Sequence, residues 1–427
     1  MKNIYLDLKH TTAVDQAYKH DVESLLLATG RNLGNLPFRH ALKGLVDGLE
    51  DYEPLTWAEL ETLVGTKSAS GPEDRGRAAK VKNVIISAAN WLTDVSSGIS
   101  TSRFTRFTET LERVDGNVVI FGLGAQAPLG TDKMNLSQEL QGFLRLLSER
   151  SAKISVRDVF TQGVLNDHGL DNVVVTGCPS NFINKDPILG KKLAESAEAL
   201  AGGVSSWADL RVAISELQPK RAHIEALTSD LFKKLRETPS FYILQEGGLL
   251  PMLLREFKQD VRLRRRQKLW RPQRQKFGQP RWRSIGKDYH NHTPSGMFSS
   301  EAFNVLRSKA LHFSSVEAWL DFARTCDFSF GMRIHGTMIP LQAGVPAVLL
   351  AHDVRTRGLA KVMKIPHLTP AGYLAKFKHN PRQFLRYCAE SLEAYDQNRS
   401  QLAEVMTDYL ESNGLTPKPE LQALMKA

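Results

Sequence analysis

Along the 427-residue chain, short apolar runs rich in Val and Ile alternate with longer segments whose apolar residues recur every three or four positions. The first pattern fits strands buried on both faces and the second fits amphipathic helices. Their alternation predicts parallel sheets with crossover helices, an α/β fold. In the first half, strands are expected at 24–28, 84–88, 118–122, 154–157 and 173–176. After a weakly patterned stretch at 185–207, a second series is expected at 211–215, 241–245, 327–330 and 347–350. Helices fall between them; Phe38, Ala41, Leu42, Leu45, Val46 and Leu49 keep the spacing of one buried face. From Pro381 onward, FLRYCAESLEAYDQNRSQLAEVMTDYL predicts helices that close the fold. The pattern divides the chain into two units, 1–185 and 186–427.

Composition agrees with two ordinary globular domains, at 42% apolar and 24% charged residues. Cys178, Cys326 and Cys388 are odd in number and far apart, which points to a reducing compartment and not to a disulfide framework. The N-terminal stretch lacks an apolar signal core, and no run approaches the ~18 apolar residues of a membrane span. A cytoplasmic protein is expected. The net charge of +10 sits in one segment, RLRRRQKLWRPQRQKFGQPRWR at 262–283, which holds ten Lys or Arg and no acid. Its polarity predicts an insertion that loops out of the second unit. Three uses are open for it: a solvated loop, contact with nucleic acid, or contact with a polyanion or the anionic inner face of the membrane through Arg264, Arg265, Arg266 and Trp270. No RNA-binding or helix-turn-helix signature accompanies it, so nucleic acid is the least favoured.

Ligands of open α/β sheets bind outside the carboxyl ends of the strands, so the strand ends carry the candidate chemistry. ATGRNLGNLP, at 28–37, offers Gly30, Asn32, Gly34 and Asn35 as substrate contacts, with an ordinary tight turn as the competing explanation. In ISVRDVF, Asp158 is placed to cap a helix, whereas Arg157 has no such task and suits a carboxylate or phosphate. Cys178 in GCPSN is expected to be a small buried residue. In FGMRIHGTMIPLQAGVPAVLL a helix is expected over 338–343 with Thr337 as its N-cap and Pro340 near its start. That places Arg333, His335, Gly336 and Thr337 at a positive helix end, an anion site. In HDVRTRGLAKVM, Asp353, Arg355 and Arg357 are divided between structural ion pairs and ligand contacts.

Together, CDFSFGMRIHGTMIPLQAGVPAVLLAHDVRTRGLAKVM, SVRDVFT, VVVTGCPSNF, FGLGAQAP and GRNLGN resemble the polysaccharide pyruvyl transferases over roughly residues 25 to 365. The resemblance implies two Rossmann-like domains in a GT-B-like arrangement, with the active site in the interdomain cleft, the acceptor on the N-terminal side and the donor on the C-terminal side. It implies transfer of a pyruvyl group from phosphoenolpyruvate, a co-substrate, to sugar hydroxyls of a polysaccharide or its lipid-linked precursor, forming a ketal without cofactor or metal. Arg333 and His335 match the family's donor-site arginine and histidine, and Arg157 matches the arginine of its S-x-R-D element. The sequence departs from the family pattern at Arg355, where a lysine is common, at TGCPS, where many members have a Pro-Asp pair, and in the basic insertion. A donor with a phosphate and a carboxylate needs two anion clamps and a proton donor, and Arg157, Arg333 and His335 supply that set. The alternative is a GT-B-type glycosyltransferase whose nucleotide sugar places its diphosphate in the same crevice. A non-catalytic lectin-like or nucleic-acid-binding protein would have no need of His335 with two arginines in one cleft.

Overall fold

The structure, a computed structural model, describes residues 2–6, 12–30, 32–65, 81–127, 130–217, 225–246 and 300–426. The basic segment 262–283, with Arg264, Arg265, Arg266 and Trp270, lies outside the described residues. The first half contributes strands β1 (Lys2–Leu6), β2 (Glu53–Leu55), β3 (Val81–Ser87), β4 (Leu92–Thr93), β5 (Asn117–Phe121), β6 (Ala125–Gln126), β7 (Ile154–Val156) and β8 (Val173–Val175). Four of them form a parallel sheet in the order β2-β1-β3-β5, and a parallel bridge from Leu123 to Val156 attaches the β7-β8 pair beside β5.

The second half contributes β9 (Val212–Ser215), β10 (Phe241–Ile243), β11 (Ala310–Leu311), β12 (Phe328–Gly331), β13 (Ala347–Leu350) and β14 (His367–Leu368), all parallel in the order β11-β10-β9-β12-β13-β14. Every residue of β9, β12 and β13 is buried. Helices cover both faces of such a sheet, which is why these strands carry no polar residue besides Ser215 and Ser329.

Two local expectations fail, each for a physical reason. Residues 24–28 belong to a helix, Val22–Ala28, because the Asp21 carboxylate accepts from the Ser24 N–H at 2.8 Å and starts a helix, and the Leu-Leu-Leu-Ala run lacks β-branched residues. The strand β1 was not expected, since KNIYL is short and flanked by polar residues. The helix after β12 spans Ile334–Gln342, not 338–343, and its N-cap is Arg333, not Thr337. Pro340 therefore lies inside it. The carbonyl of Gly336, which Pro340 cannot reach with an N–H, accepts from Ser329 Oγ at 3.3 Å instead.

The chain end returns to the first half. In the Tyr395–Ser412 helix, Arg399 donates to the carbonyls of Asn181 and Asp186, at 3.0 and 2.7 Å, and Tyr409 Oη donates to the Ile120 carbonyl at 2.6 Å. Just beyond the helix, Asn413 exchanges hydrogen bonds with the Lys153 backbone. Two Rossmann-like units joined in this way, with strand ends of both opening on one cleft, make the GT-B-like arrangement expected. Among the described residues no helix is long and apolar enough to cross a membrane.

Candidate active site

A cavity of about 620 Å³ gathers the carboxyl ends of strands from both sheets. Arg157 follows β7, Asn90 and Trp91 follow β3, Gln245 and Glu246 follow β10, Arg333 follows β12 and Arg355 follows β13. Among the described residues the lining holds five arginines, at 39, 103, 157, 333 and 355, and one carboxylate, Glu246. In a site of restricted solvent access such an imbalance draws an anion strongly.

Arg157 is 4% exposed. Its neighbour Asp158 has the structural task, accepting from the Thr161 N–H at 2.7 Å and hydroxyl at 2.8 Å to cap the Val159–Asp167 helix. The Arg157 guanidinium stands 5.3 Å from the Phe38 ring and makes no hydrogen bond or ion pair to the described residues; its Nε is buried without a partner. Arg333 is equally buried but differently held. It pairs with the Glu246 carboxylate, and its N–H donates to Ser215 Oγ at 3.3 Å. Glu246 is placed in turn by the buried Glu216 carboxylate, which accepts from the N–H groups of Gln245 and Glu246 at 2.9 and 2.7 Å.

His335 lies in the first turn of the Ile334–Gln342 helix, buried, with Nε2 3.6 Å from Cys178 Sγ. Cys178 is thus the buried residue expected, with the imidazole as a neighbouring base that the sequence did not identify. The other ring nitrogen faces Gly34, where any Cβ would overlap it, so position 34 demands glycine for close approach and not for an unusual turn. Burial, then the charges of Arg157 and Arg355, push the His335 pKa down to about 3. The imidazole is therefore neutral near pH 7.

Gly30, Asn32, Gly34 and Asn35 line the cavity. Asn32 Oδ1 accepts from the Gly34 N–H at 2.8 Å and from Gln245 Nε2 at 3.2 Å, which ties this loop to the second unit. Gly336 and Thr337 do not line it. The helix begins four residues earlier than expected, so their polar groups are already used: the Gly336 N–H donates to Gln245 Oε1 at 3.1 Å, and Thr337 Oγ1 donates to the Arg333 carbonyl at 3.3 Å. Arg355 sits in the cavity with Nη2 3.4 Å from Asp353, which caps the Val354–Met363 helix, while Arg357 is exposed outside it. Sequence reasoning also missed Gln245, Glu246 and an aromatic group of Trp57, Trp91 and Phe107. Of these, Gln245, Glu246 and Trp91 lie just past strand ends, the signal that could have found them.

Solved structures similar in fold include UDP-GlcNAc 2-epimerase of Methanocaldococcus jannaschii, at 11% identity and TM-score 0.34, covering 84% of this chain and 88% of that one. UDP-N-acetylglucosamine 2-epimerase from Rickettsia bellii is similar at 9% and 0.33, covering 93% and 97%. The wall teichoic acid polymerase TagF is similar at 9% and 0.33, covering 84% and 78%. Similarities at that level say nothing of substrate or chemistry. No curated protein matches the chain in sequence. The model of one family, polysaccharide pyruvyl transferase, matches residues 66–354, a span that contains Arg157, Arg333, His335 and the loops that join them. With more than half its length matched, the chain belongs to the polysaccharide pyruvyl transferase family.

Proposed function

We propose that the protein transfers a pyruvyl group from phosphoenolpyruvate to two hydroxyls of a glycan, closing a ketal and releasing phosphate. The observation that carries this reading is Arg157, a buried guanidinium without a hydrogen-bond partner, in one cavity with Arg333, Arg355 and a neutral imidazole. An unpaired buried charge is costly, so a small ligand with two anionic groups fits what the site lacks. Arg157 and Arg355 hold one of those groups and Arg333 the other.

The neutral state of His335 then acquires a purpose. The donor's negative charge offsets Arg157 and Arg355, the imidazole regains affinity for a proton, and that proton goes to the donor's methylene carbon. The adjacent carbon becomes oxocarbenium-like and is attacked by the first sugar hydroxyl. Phosphate leaves with the bonding electron pair, and the second hydroxyl closes the ketal. Each hydroxyl gives up a proton; one replaces the proton now in the methyl group and the other leaves on phosphate. A placed general acid contributes ~10²–10⁴-fold to such a step.

Running the reaction in heavy water tests this directly. The ketal methyl is expected to carry one deuterium, read by proton NMR and mass spectrometry of the purified acceptor. A sugar-sized mass gain from a nucleotide sugar, with no ketal methyl under any donor, would defeat the proposal.

A further inference from the structure

The cavity is larger than a three-carbon donor needs, since pockets of ~300–1,000 Å³ hold drug-sized ligands. Part of its wall has a character the donor cannot use. Trp57 and Trp91, both partly exposed, line it together with Phe107. Trp57 stacks on Phe107 at 3.8 Å and 12°, and Trp91 inclines against the two at 6.5 and 6.0 Å, so the rings are fixed by one another while still facing the cleft.

Asn90, immediately before Trp91, has an Oδ1 that is buried without a hydrogen-bond partner. The point where a Cβ on Gly124 would stand is 3.7 Å from that oxygen and 3.3 Å from Arg157 Cδ. The unsatisfied acceptor therefore joins the aromatic wall to the anion cluster. A fully ionised phosphate or carboxylate has no proton to offer it, whereas a hydroxyl does. A charged sugar would also compete with the donor for the arginines. A neutral pyranose meets every condition, with a C–H face for the indoles and hydroxyls at its rim.

We propose that Trp57, Trp91 and Asn90 form the acceptor subsite and that it takes an uncharged hexopyranose. The ring lies on the indoles, and one hydroxyl donates to Asn90 Oδ1 beside the carbon activated between Arg157 and His335. The chemistry of this assignment rests on the pyruvyl-transfer proposal, but the binding does not, so the two can fail separately.

The test uses the full chain and three readouts: saturation-transfer NMR with the methyl glycosides of glucose, galactose and mannose, thermal shift with phosphoenolpyruvate, and thermal shift with uridine diphosphate. At least one glycoside is expected to bind through its ring C–H protons. Trp91→Ala should weaken it at least tenfold, Trp91→Phe should retain most of the affinity, and both should keep the wild-type response to phosphoenolpyruvate. Asn90→Leu, which keeps the side chain's bulk, should weaken the glycoside as well and decides the matter if Trp91→Ala misfolds. Glycoside binding that depends on Trp91 without any response to phosphoenolpyruvate would support the subsite and remove the donor. The proposal is overturned if no glycoside binds, if a folded Trp91→Ala or Asn90→Leu protein binds it as the wild type does, or if Trp91→Ala weakens uridine diphosphate and spares the glycosides.

Discussion

Arg157 and Arg333 enter one cavity from the ends of β7 and β12, at 4% and 5% exposure, yet only Arg333 meets a carboxylate there. Glu246 keeps the Arg333 fork in one orientation before any ligand arrives, and it does so from the rim, with its side chain 45% exposed. Arg157 has the Phe38 ring beside it and no ion pair among the described residues, the nearby charges of Arg355 and Asp158 being of opposite sign. The first arrangement supplies geometry. The second stores an unmet interaction, because a buried charge without a partner costs several kcal/mol that an incoming anion offsets. Most of the donor affinity is therefore expected from Arg157, and most of the donor's orientation from Arg333.

The sharpest way to break this comparison is Arg157→Met. Removing an unpaired buried charge should leave the melting temperature of the empty protein unchanged or raised, while phosphoenolpyruvate affinity falls at least ~100-fold, the range seen when one partner of a buried charge pair is removed. Arg157→Lys should also be damaging, since a single ammonium cannot reproduce the fork. A variant that loses stability but keeps donor affinity would show Arg157 to be a structural residue.

Arg333→Met should do the reverse in the empty protein. It removes a bridge to a half-exposed carboxylate, so a small fall in melting temperature is expected, with a loss of donor affinity of about tenfold. Isothermal titration of the two variants side by side reads the contrast. Equal losses of affinity with equal changes in stability would erase the distinction.

A smaller effect is expected at the seam between the two units. Gly34→Ala places a methyl against His335 Nδ1, on a ring whose other nitrogen lies 3.6 Å from Cys178 Sγ. Overpacking of this kind costs ~1–3 kcal/mol when it strains a well-packed site. A several-fold drop in kcat with near-normal donor affinity is expected, because Arg157 is untouched. An unaltered kcat would mean that the loop yields and that its approach to His335 is without consequence.

How much of this was legible in the sequence depends on how local each cause is. The Asp158 cap, the strand ends and the pairing of Arg333 with His335 at a strand-to-helix junction depend on neighbours a few residues away, and they could be read. The start of the Ile334–Gln342 helix was misplaced because the rescue of Pro340 comes from Ser329, on the preceding strand. The loss of Gly336 as a ligand contact has the same origin, since Gln245 lies 91 positions from it. The aromatic wall was invisible for a stronger reason: Trp57, Trp91 and Phe107 come from three separate segments, and only the packing of the first unit brings their rings together. Arg355 was visible as a charge, but nothing in its own segment distinguishes it from Arg357, which points away.

The last effect follows from the sign of the His335 shift. Burial, Arg157 and Arg355 hold its pKa at about 3 in the folded, empty protein, against ~6.5 in an unfolded chain. Between those values the unfolded state binds more protons than the folded one, so this group makes stability rise with pH through the window and contributes no slope above it. One site contributes a slope of at most ~1.4 kcal/mol per pH unit. His335→Asn should therefore lose less stability than the wild type as pH falls from 7 toward 4, with the two curves parallel above 7. Phosphoenolpyruvate should act in the opposite direction on the same group: by offsetting the two arginines it raises the imidazole's proton affinity, so donor binding near pH 6 should take up a fraction of a proton. Titration calorimetry in buffers of different ionisation enthalpy measures that uptake, and His335→Asn should abolish it. If the uptake persists in the variant, the proton resides elsewhere, on the donor phosphate or on Glu246, and His335 is not the group that the donor's charge prepares for transfer.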